Sequence, residues 1–232
     1  NEIGIQAGMD YAEKFGIKLG KNDRTLGLAL GGLNEGVSPL QMASAYSVFA
    51  NGGVRQEAHL IRKIVDASGK EVAVFKGEKI KVTTKEVAKN MTAMLRGVVD
   101  HEGGTGTNAK VENRDIAGKT GSTQVDNVSR QDAVKDQWFV GYSPNLVGAV
   151  WMGYDKTTAN QYLYKDKISG ANIVFQEIMT KALKNVENQT FDVPTIDDME
   201  KEVEKNRFKN YWIEQKEKIQ KNFDEWINRW KN

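Results

Sequence analysis

All 22 glycines of this 232-residue chain lie at or before Gly170, and residues 171–232 contain none. That asymmetry divides the chain into two kinds of polymer. Glycine supplies tight turns and left-handed backbone, so the first 170 residues are punctuated into short elements. Beyond them only Pro194 interrupts a long run of helix-forming residues. The expected organisation is a body over 1–190 and a charged amphipathic helical tail over 191–232. Residues 195–232 hold nine acidic and nine basic side chains, and Phe208, Trp212, Ile219, Phe223, Trp226 and Trp230 share one helical stripe. One long helix, or two with a bend, is predicted. Its stripe has three open uses: packing on the rest of the polypeptide, binding another protein, or lying on a membrane surface.

Within the body the periods alternate between helix and strand. Ile5–Phe15 and Pro39–Ala50 read as helices, the second opened by Ser38 as N-cap and closed by Asn51-Gly52-Gly53. His59–Asp66 and Glu71–Phe75 flank Ala67-Ser68-Gly69-Lys70, a hairpin signal. Thr84–Val99 has helix spacing, and Ile173–Val186 supplies a further helix. Three extended runs lie between these last two, at Ile116–Thr123, Gln137–Tyr142 and Leu146–Tyr154, the latter pair joined by Ser143-Pro144-Asn145. Both parities of the second run are apolar, so the sheet is expected to be covered on both faces by helices. The class is α+β, and Trp138 and Trp151, being strand aromatics, are expected in the core.

Charge and composition exclude several functions. Lys plus Arg is 33 against Asp plus Glu 31, a net +2, which gives no reason to expect a nucleic-acid groove. Without cysteine there is no disulfide framework, thiolate zinc site or thiol nucleophile. His59 and His101 are isolated, and no metal-ligand set is expected. Leu146–Tyr154, the longest nearly apolar stretch, is far short of the roughly 20 residues of a spanning helix. The chain opens Asn-Glu-Ile-Gly, without a leader pattern, and reads as an internal cut.

The chemistry centres on Gly118-Lys119-Thr120-Gly121-Ser122. A phosphate-binding P-loop would need glycine where Asn113 stands and a helix after the Lys-Thr pair, and neither is present. The wider context is more specific. Gly36-Val37-Ser38-Pro39-Leu40-Gln41-Met42-Ala43, Phe49-Ala50-Asn51-Gly52-Gly53, Gly104-Thr105-Gly106-Thr107, the Lys-Thr-Gly run, Asp136–Pro144 and Val150–Asp155 follow in order. Together they resemble the transpeptidase domain of penicillin-binding proteins, most closely the bifunctional class A enzymes, over residues 1–186.

The resemblance implies an incomplete penicillin-binding/β-lactamase-like transpeptidase fold, an antiparallel sheet sandwiched by helices with the helical extension behind it. That family uses three motifs: Ser-x-x-Lys for the nucleophile and its base, Ser-x-Asn for proton relay, and Lys-Thr-Gly on a strand. Only the third is in this sequence; the one Ser-x-Asn, Ser143-Pro144-Asn145, reads as a turn. The family places the other two upstream of Asn1. Lys119 and Ser122 are then the catalytic candidates, with the Ser122 backbone amide as one of two oxyanion donors. Thr120, Gly121 and Ser122 are the substrate-binding candidates. Where this chain has Ser122 the family more often has Thr, and the hydroxyl is kept.

The expected activity is that of a serine-type D-Ala-D-Ala transpeptidase that cross-links peptidoglycan stem peptides and is acylated by β-lactams. No cofactor or metal is implied, and the isolated chain is expected to be inactive. The implied location is the extracytoplasmic face of a bacterial membrane, through an N-terminal anchor absent here. Two sheet strands are expected from the missing segment, which leaves self-association through an unpaired edge open. The alternative reading is a non-catalytic cell-envelope interaction module that binds a partner through residues 195–232. The polar loop Gln124–Lys135 borders the substrate groove or is merely a solvated connection.

Overall fold

Local signals set most of the elements. A computed structural model describes residues 3–34, 36–125, 130, 132–158, 160–164 and 170–230. Along the chain run α1 (Gly4–Lys14), α2 (Pro39–Ala50), β1 (Val54–Gln56), β2 (Lys63–Val65), β3 (Glu71–Val74), β4 (Lys79–Lys81) and α3 (Lys85–Asp100). They are followed by β5 (Ala117–Gln124), β6 (Ala133–Tyr142), β7 (Val147–Gly153), β8 (Leu163–Tyr164), α4 (Gly170–Ala182) and α5 (Ile196–Trp230). The chain divides into two compact units, Asn1–Val193 and Pro194–Asn232.

Helix α2 shows why its boundaries were readable. Ser38 Oγ accepts the Gln41 N–H at 3.2 Å while Gln41 Oε1 accepts the Ser38 N–H at 2.8 Å, a reciprocal cap with Pro39 in the first turn. It stops where Gly53 turns with φ +97°, packed so closely on the Thr83 carbonyl that a Cβ would collide with it. Thr84 caps α3 through one bond, its Oγ1 accepting the Val87 N–H at 3.2 Å.

Strands β5, β6 and β7 form an antiparallel sheet in that order, and β8 pairs with the start of β6. Thr120 pairs with Phe139, and Phe139 with Val150. Alternation then puts Gly118, Thr120, Phe139 and Gly141 on one face and Lys119, Gly121, Trp138 and Val140 on the other. On the first face the Phe139 and Phe175 rings stand 4.6 Å apart, in a core with Ile116, Val99, Met179 and Leu183. A Cβ on Gly118 would stand 2.6 Å from the Phe139 ring, so only glycine admits it there.

On the second face Tyr142, Ala117 and Leu95 pack with Tyr46 and Phe49 of α2. The Tyr142 hydroxyl lies 2.8 Å from Thr92 Oγ1, which donates onward to the Ala88 carbonyl. Burial pushes the Tyr142 and Tyr46 phenols above their ordinary pKa. Helices therefore stand over both faces, α4 along the first and α2 around Tyr142 on the second.

Several boundaries differ from expectation. The hairpin strands are shorter, and β1 pairs with β4 across the intervening hairpin, a pairing the sequence reading missed. Strand β6 begins at Ala133, so residues 133–135 of the expected loop Gln124–Lys135 are strand; residues 126–129 and 131 lie outside the described residues. Both Ala133 and Val134 are buried, and they pair with Tyr164 and Leu163 of β8, which carries the strand back to Ala133. Helix α4 starts at Gly170 and ends at Ala182, and Arg114 Nη2 donates to the carbonyls of Leu183 and Val186, both at 2.7 Å, satisfying groups beyond its end. The tail forms one helix, α5, in which Phe208 is exposed. The side chains of Trp212, Ile219, Phe223, Trp226 and Trp230 lie outside the described residues. No helix among the described residues is long and apolar enough to cross a membrane.

Candidate active site

Strand β5 carries the Lys-Thr-Gly run, and among the described residues it pairs only with β6. No described strand pairs with its second edge. A groove of about 1070 Å³ runs along this edge and over the second face of the sheet. Lys119, Thr120, Gly121 and Ser122 all line it, together with Trp138, Val140 and Trp151. The opposite wall comes from α1, from Met42 and Tyr46 of α2, and from the segment 25–34.

Each member of the run has a definite setting. Lys119 is exposed, and its Nζ donates to the Thr120 carbonyl at 3.1 Å and to Thr120 Oγ1 at 3.4 Å, so a cation is held at the strand edge. Ser122 is exposed at the same edge. Gly121 lies against Trp138: a Cβ there would stand 3.2 Å from the Trp138 Cβ, so a larger residue would crowd the groove floor. The structure thus brings together all four sequence-predicted residues in one cleft.

Trp138 and Trp151 depart from the core role expected of them. Their rings, 6.4 Å apart, line the groove, and Trp151 remains 36% exposed. Both have the parity of Lys119 rather than that of Phe139. Ser143-Pro144-Asn145 is a turn, with Ser143 Oγ accepting the N–H groups of Asn145 at 3.2 Å and Leu146 at 3.1 Å. His101 accepts the Gly103 N–H at its Nδ1, and His59 lies beside the Glu57 carbonyl, both exposed. Among the described residues no three His, Asp or Glu side chains gather as a metal site.

Sequence reasoning missed Asp23. Only 3% exposed, it accepts the Gly20 N–H at 2.7 Å through one carboxylate oxygen and the Asn34 N–H at 2.6 Å through the other. These charge-assisted bonds pin both ends of the segment that presents Leu26–Leu30 to the groove. A lone Asp within a glycine-rich stretch was the available signal, but its partner Asn34 lies eleven residues away.

Residues 2–180 match the family model of the penicillin binding protein transpeptidase domain. The chain belongs to that family. Among its relatives, penicillin-binding protein 1F of Bacillus subtilis is 46% identical over 182 residues, covering 78% of this chain and 24% of that protein. Penicillin-binding protein 2a of Streptococcus pneumoniae is 39% identical over 193 residues, covering 83% of this chain and 26% of that protein. These are class A penicillin-binding proteins, and this transpeptidase chain spans about a quarter of their length.

Solved structures agree. The penicillin-binding protein PonA1 of Mycobacterium tuberculosis is 33% identical, with a TM-score of 0.52 over 67% of this chain and 40% of that one. A second PonA1 structure holds penicillin V. Penicillin-binding protein 1A of Haemophilus influenzae, 24% identical, shares the fold with a TM-score of 0.63 over 82% of this chain and 32% of that one.

Proposed function

We propose that this chain is the substrate-recognising part of a class A peptidoglycan D,D-transpeptidase, and that the covalent step requires a serine outside these 232 residues. The observation that carries the reading is the Lys-Thr-Gly-Ser run lining a groove of about 1070 Å³, on a strand that pairs only with β6 among the described residues. Neither Ser-x-x-Lys nor a groove-lining Ser-x-Asn occurs in the sequence.

In this reading a stem peptide ending in D-Ala-D-Ala lies along β5 and pairs with its free edge. Lys119 supplies the positive charge that attracts the terminal carboxylate, and the hydroxyls of Thr120 and Ser122 donate to it. The serine oxygen attacks the carbonyl of the penultimate D-Ala, passing its proton to its base. The Ser122 backbone N–H stabilises the oxyanion, and the terminal D-Ala leaves as the amine after taking up a proton. An amine from a second stem peptide then attacks the ester, forming the cross-link and returning the proton to the serine. A β-lactam opens its ring on the same serine and leaves no second product to depart. The work is placed on the outer side of the bacterial membrane, residues 1–190 carrying the recognition and 191–232 forming a separate helical extension.

The test is a chimera in which this chain replaces the matching 182-residue segment of Bacillus subtilis penicillin-binding protein 1F. Labelled penicillin is expected to acylate the chimera, and Lys119→Ala is expected to slow acylation by roughly 10²-fold or more. An unchanged rate would overturn the proposed role.

A further inference from the structure

We propose that Thr105 is a positioning residue that holds the Thr120 hydroxyl ready for an anionic substrate group. The proposal rests on the transpeptidase reading above. Thr105 is carried on Gly104-Thr105-Gly106, a segment folded back on the end of α3. There the Gly106 N–H donates to the Val98 carbonyl at 2.9 Å and the Gly104 N–H to the His101 carbonyl at 2.9 Å. A Cβ on Gly104 would collide with the Val98 carbonyl, and one on Gly106 would stand 3.1 Å from the Phe139 ring. Both glycines are pressed on the body, so Thr105 is the only side chain this tripeptide can extend. Its Oγ1 lies 2.8 Å from Thr120 Oγ1.

The tripeptide is anchored from behind as well. Asn172, in the first turn of α4 and 1% exposed, donates from Nδ2 to the Thr105 carbonyl at 3.2 Å. A buried amide is costly where it is not hydrogen-bonded, and the Nδ2 of this one is met by a carbonyl 67 residues away in sequence. The chain of contacts runs from α4 through Thr105 to Thr120 and ends at Lys119 Nζ.

This arrangement restricts one rotor. Thr120 Oγ1 accepts from Lys119 Nζ on one side and is hydrogen-bonded to Thr105 Oγ1 on the other, which selects one staggered χ1 well before any ligand arrives. Ordering a hydroxyl in advance lowers the entropic cost of binding without altering the bond-making step. Thr105 therefore acts on affinity and leaves the acylation rate constant alone.

Thr105→Val in the chimera removes the hydroxyl and keeps the branched shape. It is expected to weaken the non-covalent penicillin-binding step roughly three- to tenfold, with the acylation constant within about twofold of wild type and Thr105→Ser restoring the affinity. Unchanged affinity in Thr105→Val, or loss that serine fails to restore, would overturn the proposal. In the 232-residue chain itself, NMR couplings that report χ1 of Thr120 should show one rotamer in the wild type and averaging in Thr105→Val. One rotamer in both would also overturn it. Lys119→Ala separates the two readings: if that change leaves the acylation rate of the chimera unchanged, the transpeptidase reading falls. If it slows acylation as expected while Thr105→Val behaves as wild type, only the role of Thr105 falls.

Discussion

The two faces of the β5–β6–β7 sheet are built from the same strands, yet one is sealed and the other is open. Phe139 and its α4 partner Phe175 are 0% and 1% exposed, whereas Trp151, on the other parity of the neighbouring strand, is 36% exposed over a groove. The difference comes from what stands opposite. Helix α4 lays Phe175 and Met179 along the first face, with Leu183 just past its end, while α2 reaches the second face only around Tyr142, leaving the Lys119 end uncovered. A one-residue step along β6, from Phe139 to Trp138, thus moves an aromatic side chain from the sealed core to the groove.

The largest expected effect tests the sealed face. Phe175→Ala should cost about 3–5 kcal/mol in denaturant unfolding, because a large ring is lost from a site whose neighbours cannot fully collapse. Trp151→Ala on the open face should cost less than half of that, and equal costs would break the distinction. Next comes the polar contact within the core: Thr92→Val leaves the buried Tyr142 hydroxyl without its partner and should cost about 1–3 kcal/mol. Tyr142→Phe in the same background should recover part of that loss, and a cycle with no coupling would remove this contact from the account.

At the groove wall, Asp23→Asn exchanges one of two accepting oxygens for a donor and should destabilise by about 1–3 kcal/mol. Protection of the Gly20 and Asn34 amides in hydrogen exchange should fall with it. The smallest effect lies far from both faces, in the hairpin turn. Hydrogen bonds from Ser68 Oγ and from the backbone at Lys70 and Ser68 hold the Asp66 carboxylate below its usual pKa. Its contribution is therefore present above the unfolded-state value near 4 and lost as pH falls through the lower folded value. Because Asp66 is fully solvated, Asp66→Asn should flatten the melting temperature between pH 5 and 2 only slightly, as read by thermal scans.

Local signals made much of this legible. Ser38 before Pro39 and the stop at Asn51-Gly52-Gly53 announced α2, and the doubly apolar run Trp138–Tyr142 announced a sheet with helices on both sides. The Lys-Thr-Gly run with its ordered neighbours brought out the four groove residues. The rest was hidden because it depends on distant partners. Val54–Gln56 and Lys79–Lys81 are each three residues long and pair across a hairpin, so neither is recognisable by itself. The parity that sends Trp138 to the groove and Phe139 to the core needs the position of α4. Asp23 and Thr105 matter through Asn34 and Thr120, contacts that no local pattern encodes.

The central claim is that this chain holds one side of an acyl-transfer site and lacks the nucleophile. Intact-mass measurement after penicillin treatment, on the 232-residue chain beside the chimera with penicillin-binding protein 1F, tests it most directly. The account predicts one acyl adduct on the chimera and an unmodified mass for the isolated chain. A stable adduct on the isolated chain, or none on a folded chimera, would contradict it.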